Sequence, residues 1–163
     1  MEVFSKSYLK HVVETQGELF DLFARQNPAC DTDDFIASYM SGKTRADIDA
    51  GQAYVCTMFS EDLLARFMTE TGYQPRPGES MKGFMPDWIG RFYAYYQWSQ
   101  KMSSSETLAA VPLSFLKVAY RGLHDLDLPL AVAKVGSNGN GLSSSCTPGI
   151  AQSSTTNMAE AWA

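Results

Sequence analysis

The stretch Gly83-Phe84-Met85-Pro86-Asp87-Trp88-Ile89-Gly90-Arg91-Phe92-Tyr93-Ala94-Tyr95-Tyr96-Gln97-Trp98 constrains the fold more than any other part of the chain. Pro86 suits a first helical turn, where its missing N–H would have had no partner, and Asp87 puts a negative charge at the positive end of the helix dipole. A helix is expected to start there. Trp88, Ile89, Phe92, Tyr93 and Tyr96 recur at spacings of three and four, which gathers side chains on one face, while Asp87, Arg91 and Lys101 fall elsewhere. So dense an aromatic face predicts the central helix of a helical fold.

At 163 residues the chain can bury one substantial core, and a single domain is expected. Hydrophobic content of 45% against 19% charged is that of a folded protein. A net charge of −5 with no basic run argues against nucleic acid as the main partner, because binding to the phosphate backbone needs a surplus of Lys and Arg on one face. Cys30, Cys56 and Cys146 are odd in number and widely spaced, which fits neither a disulfide framework nor a metal knuckle, so reduced thiols are expected. The opening Met1-Glu2-Val3-Phe4-Ser5-Lys6 lacks the apolar run of a signal peptide, and no segment is apolar for long enough to span a bilayer. A cytoplasmic protein with no membrane association is the expectation.

Apolar positions predict the remaining elements. Phe4, Tyr8, Val12, Leu19, Phe20 and Phe23 follow a helical period, interrupted around Gly17 and ended at Asn27-Pro28. Asp31 to Asp34 can cap a helix whose face is Phe35, Ile36, Tyr39 and Met40. As a calcium loop that acidic cluster fails, because its sixth and twelfth positions hold Ile36 and Gly42 instead of Gly and Glu. Thr44 is read as the cap of a short segment from Arg45 to Ala50, and Tyr54 to Phe59 as buried extended chain or helix. Ser60-Glu61-Asp62 starts a helix that Gly72 stops, and a Pro-rich surface loop follows it. Ser103 and Glu106 read as a capping box, and Pro112 as the first-turn proline of a helix ending at Gly122. Asp127 and Pro129 announce the last helix. From Gly136 to Asn157 the chain is Ser, Thr, Gly and Asn with no charged residue, too poor in apolar groups to offset the entropy of ordering. The expectation is thus an all-α domain over 1–135, about six or seven helices, with a low-complexity disordered tail over 136–163 that forms at most one loose turn at Met158 to Ala163.

No residue pattern assigns a catalytic site, a metal site or a cofactor. His124 with Asp125 and Asp127 is the one place where an imidazole adjoins two carboxylates, the core of a metal phosphohydrolase site; such a site needs more imidazoles, and His11 is the only other. The alternative reading makes His124 and Asp125 shape a turn and Asp127 cap a helix. A small hydrolase or transferase centred on His124 is kept as the second hypothesis. The hairpin from Ser104 to Tyr120 could read DNA, although Lys117 and Arg121 are the only cations of its second helix. Trp88, Phe92 and Tyr96 form a core face, from which Tyr93, Tyr95 and Trp98 must in part diverge, so aromatic surface is expected outside. Because Tyr and Trp anchor interfaces, Trp88, Tyr93, Tyr95, Tyr96 and Trp98 are the candidate residues for binding another protein.

Three strings carry a resemblance: Asp33-Asp34-Phe35-Ile36 to Tyr39-Met40, Asp87 to Trp98, and Tyr120-Arg121-Gly122-Leu123-His124-Asp125-Leu126-Asp127. Over roughly residues 5–135, excluding the tail, the chain resembles uncharacterised short bacterial proteins of gut and other anaerobes, often encoded near ADP-ribosyltransferase-like toxin and antitoxin genes. The resemblance implies a gene neighbourhood and brings no functional residues. With the acidic charge it leads to the expectation of a non-enzymatic protein-interaction protein, antitoxin-like or an accessory partner of a bacterial toxin.

Overall fold

The computed structural model describes residues 3–142. Helix α1, Lys6–Gln26, begins at Ser5, whose hydroxyl accepts the Ser7 N–H at 3.3 Å. It runs unbroken through Gly17, where an interruption was expected, because the missing side chain serves packing instead of a bend. A Cβ at Gly17 would lie 2.8 Å from the Asp87 carbonyl oxygen, and one at Gly90 would lie 2.6 Å from that of Gln16. Two facing glycines let two helix backbones touch. The helix that meets α1 there is the aromatic one, Met85–Gln100, with Pro86 in its first turn.

Helices α2, Thr32–Met40, and α3, Lys43–Asp49, follow α1. The Asp31 carboxylate caps α2 by accepting the Asp34 N–H at 3.1 Å. For α3 the expected cap is wrong: the helix starts after Gly42, and Thr44 lies buried inside it, donating its hydroxyl to Glu70 Oε2 at 2.8 Å. The β-prone run forms one helical turn, α4, Ala53–Cys56, and then a connection into α5, Ser60–Thr71. Gly72 closes α5 in the left-handed conformation at φ 64°. The proline-rich loop that follows is tied across the start of α2, with Asp31 N–H donating to Arg76 O at 2.8 Å and Gly78 N–H to Ala29 O at 3.0 Å.

The aromatic helix is α6, and beyond it come α7, Ser104–Ala110, α8, Leu113–Leu123, and α9, Leu128–Leu142. Both halves of the expected capping box form at α7. Pro112 sits just outside α8, and α8 passes through Gly122 to Leu123, since a glycine alone does not stop a helix whose Leu116, Ala119 and Leu123 are buried. The last helix continues past the expected boundary at 136 to Leu142; the rest of the expected tail, with the turn at Met158 to Ala163, lies outside the described residues. The fold is all-α, with nine helices among the described residues. None of these is long and apolar enough to cross a membrane.

Helix α6 is the axis. On one side α1 runs antiparallel to it: Ser80, just before α6, donates to Ala24 O near the end of α1, Gln16 donates to Gly90 O at 2.8 Å, and Phe4 lies over the guanidinium that reaches Gln97. Helices α7, α8 and α9 pack on its other sides. Away from α6, the rings of Phe20, Phe23, Phe35, Tyr39, Phe67 and Tyr73 fill the space between α1, α2 and α5.

Candidate functional site

Being surrounded, α6 hides more of its aromatics than a one-sided helix would. Tyr93 is fully buried, donates its hydroxyl to Val111 O at 2.7 Å, and has its phenol pushed well above the ordinary range by burial. Trp88 and Tyr96 are also buried, each ring against Phe92, and Trp88 meets Tyr120 edge-on at 5.5 Å. These three expected partner-binding residues are therefore core, because a helix covered from several directions has no free face at their positions. Tyr95 and Trp98 are half-buried, with rings 6.2 Å apart. They are what remains of the expected aromatic surface.

The second candidate site is a turn. His124 caps the end of α8, its Nδ1–H donating to Tyr120 O at 2.8 Å and its ring stacked on Tyr120 at 4.6 Å. Its Nε2 lies 3.2 Å from Asp125 Oδ1, and the Asp127 carbonyl accepts the Ala131 N–H at 3.0 Å as α9 begins. His11 is held elsewhere, donating from Nε2 to Met58 O at 2.9 Å. Among the described residues no group of three or more His, Cys, Asp and Glu could hold a metal ion. Cys56 is buried, with its thiol 3.6 Å from Ile48 O and its pKa raised by burial; Cys30 is half-buried, and Cys146 lies outside the described residues.

What the residue patterns do not reveal is a buried polar network where α1, α3, α6 and α7 meet. Arg45 is wholly buried, and its guanidinium donates from Nε to Gln16 Oε1 at 2.6 Å, from Nη1 to Asp49 Oδ1 at 2.8 Å, and from Nη2 to Gln97 Oε1. Asp49 Oδ1 also accepts from Gln97 Nε2, while Oδ2 accepts the Ser104 N–H at 2.9 Å and the Ser104 hydroxyl at 2.8 Å. Every oxygen of the carboxylate is thus used, as a charge removed from water requires. The one sequence signal is the spacing of Arg45 and Asp49, four apart on a helix, which far more often marks an exposed pair. With each guanidinium nitrogen and both carboxylate oxygens engaged, the network locks the helices together.

No family model matches the chain, and neither does any curated protein or solved structure.

Proposed function

We propose that this chain is a non-enzymatic protein-interaction protein whose anchor is the Tyr95–Trp98 pair. The observation carrying the reading is that pair itself: two large aromatics, neighbours on a rigid central helix, left half-exposed although their four aromatic companions on α6 are buried. Such side chains give up much apolar area on contact and lose little rotamer freedom, which suits them as anchors. The toxin-associated form of the reading, antitoxin or accessory partner, is supported by the string resemblance alone.

The test is capture of a partner from a lysate of the source organism by the tagged full chain, alongside Tyr95→Ala/Trp98→Ala. A stoichiometric partner, rebinding in purified form and lost in the double variant at unchanged melting temperature, is the expected result. Equal capture by both proteins would overturn it.

A further inference from the structure

The Tyr95–Trp98 pair does not stand alone on its side of the molecule. Gly17 of α1 lies against Asp87 and Arg91 of α6, and the helices are antiparallel. Residues seven apart fall on nearly the same side of a helix, roughly 10 Å along the axis. Lys10, seven before Gly17, and Trp98, seven after Arg91, are therefore carried in the same direction along the same face. Lys6 continues the α1 row one turn further, and Lys101 continues α6 beyond Trp98. Lys6, Lys10 and Lys101 are exposed, and none has a carboxylate within ion-pair range among the described residues.

Of the carboxylates Glu14, Glu106, Asp49 and Asp87, three are engaged. Glu14 is half-buried in the α1 row, and Glu106 accepts the Ser103 N–H at 2.7 Å, a bond that holds its pKa below the ordinary carboxylate value. Asp49 is buried in the network, and Asp87 is paired with Arg91 at 2.8 Å. A chain of net charge −5 thus gathers, beside its half-buried aromatic pair, three lysines with no carboxylate in ion-pair range among the described residues. Lys101 adds an independent observation. It is the one non-glycine residue with positive φ among those described, at 54°, in a helix-ending position where glycine is the unstrained choice. A residue held in a disfavoured conformation points to a requirement for its side chain.

We propose that the face formed by Lys6 and Lys10 of α1 with Tyr95, Trp98 and Lys101 of α6 docks an acidic amphipathic segment of a partner protein. The aromatics receive its apolar side chains, and the lysines steer and hold its carboxylates. This rests on the interaction reading above and specifies the chemistry of the partner.

The probe is a fluorescein-labelled helical peptide with leucines at helical spacing and Asp and Glu elsewhere, followed by anisotropy against the full chain. A peptide with Lys in place of each acid is the control. Expected are binding of the acidic peptide that weakens as salt is raised, no binding of the basic one, and about tenfold or greater loss in both Trp98→Ala and the triple Lys6→Glu/Lys10→Glu/Lys101→Glu variant. The triple variant changes exposed side chains only, and unchanged melting certifies its fold. Equal binding of both peptides, binding that survives the triple reversal, or no binding of the acidic peptide would each overturn the inference. So would phosphatidylserine vesicles or duplex DNA binding where the acidic peptide does not. A partner captured through Tyr95 and Trp98 but indifferent to lysine reversal leaves the interaction reading in place and removes only its acidic chemistry.

Discussion

Two buried regions of this protein hold helices together by opposite means. Between α1, α2 and α5, Phe35 is surrounded by rings, stacked on Phe23 at 3.8 Å and edge-on to Phe20, Phe67 and Tyr73 at 6.1, 5.7 and 5.8 Å. Between α1, α3, α6 and α7, Arg45 is surrounded by Gln16, Asp49 and Gln97. Apolar burial is non-directional and scales with area, so a ring cluster degrades gradually when one member changes shape. A buried charge with a complete set of partners is stabilised only while the set is complete, because each orphaned group keeps its full desolvation cost. The first region should tolerate substitution and the second should not.

The sharpest way to break that contrast is a pair of substitutions that each keep approximate size. Arg45→Met leaves the Asp49 carboxylate buried without its cation, and is expected to cost about 3–5 kcal/mol in urea unfolding. Adding Asp49→Leu removes the orphaned charge, so the double variant should lose less than the sum of the two single losses by at least about 1 kcal/mol. Strict additivity would mean that the network is solvated and the contrast false. Next in size is Gly90→Ala, where the backbones of α1 and α6 touch beside the polar network. Its Cβ would meet the Gln16 backbone at 2.6 Å, forcing α1 and α6 apart and disturbing the Gln16–Gly90 bond. A loss of about 1–3 kcal/mol is expected, and a neutral result would show that the crossing can slide. Phe35→Leu should cost less than either, about 1–2 kcal/mol, since leucine keeps most of the apolar contact and the surrounding rings relax partly into the space. A loss as large as that of Arg45→Met would erase the distinction between the regions.

The same contrast explains how much could be read from the residues. The aromatic region was legible because its side chains announce themselves: Phe35, Ile36, Tyr39 and Met40 at helical spacing, behind an Asp cap, admit one placement, and all four are buried. Capping signals at Ser103 and Glu106 were equally local, and both bonds form. The network was illegible because nothing in Arg45-Ala46-Asp47-Ile48-Asp49 tells which carboxylate is buried. Asp47 pairs with Lys43 at the surface, at 2.9 Å, while Asp49 turns inward, a choice made by Gln16 and Gln97 far away in sequence. Gly17 misled for a related reason, since a glycine reads as a break until the partner backbone of Gly90 is known. Of the candidate interface, helical spacing put Trp88 and Tyr96 on the core face but could not show that α6 is enclosed, and so left Tyr93 among the aromatics expected outside.

The smallest predicted effect has the opposite sign. Lys101 ends α6 in the left-handed conformation, its N–H donating to Trp98 O at 3.3 Å. An L side chain there costs on the order of 1–2 kcal/mol, whereas glycine adopts the conformation freely but loses more entropy on folding. Lys101→Gly should therefore stabilise the chain by about 0.5–1 kcal/mol, read as a higher urea midpoint at unchanged slope. Against Arg45 it sharpens the comparison, since one cation is fixed by its partners and the other is strained, with no carboxylate in ion-pair range among the described residues. If Lys101 serves the docking face, the stabilised variant should also bind the acidic peptide more weakly. A more stable protein with full peptide binding would reduce Lys101 to an unoptimised helix end. A destabilised one would show that its side chain contributes to the fold itself.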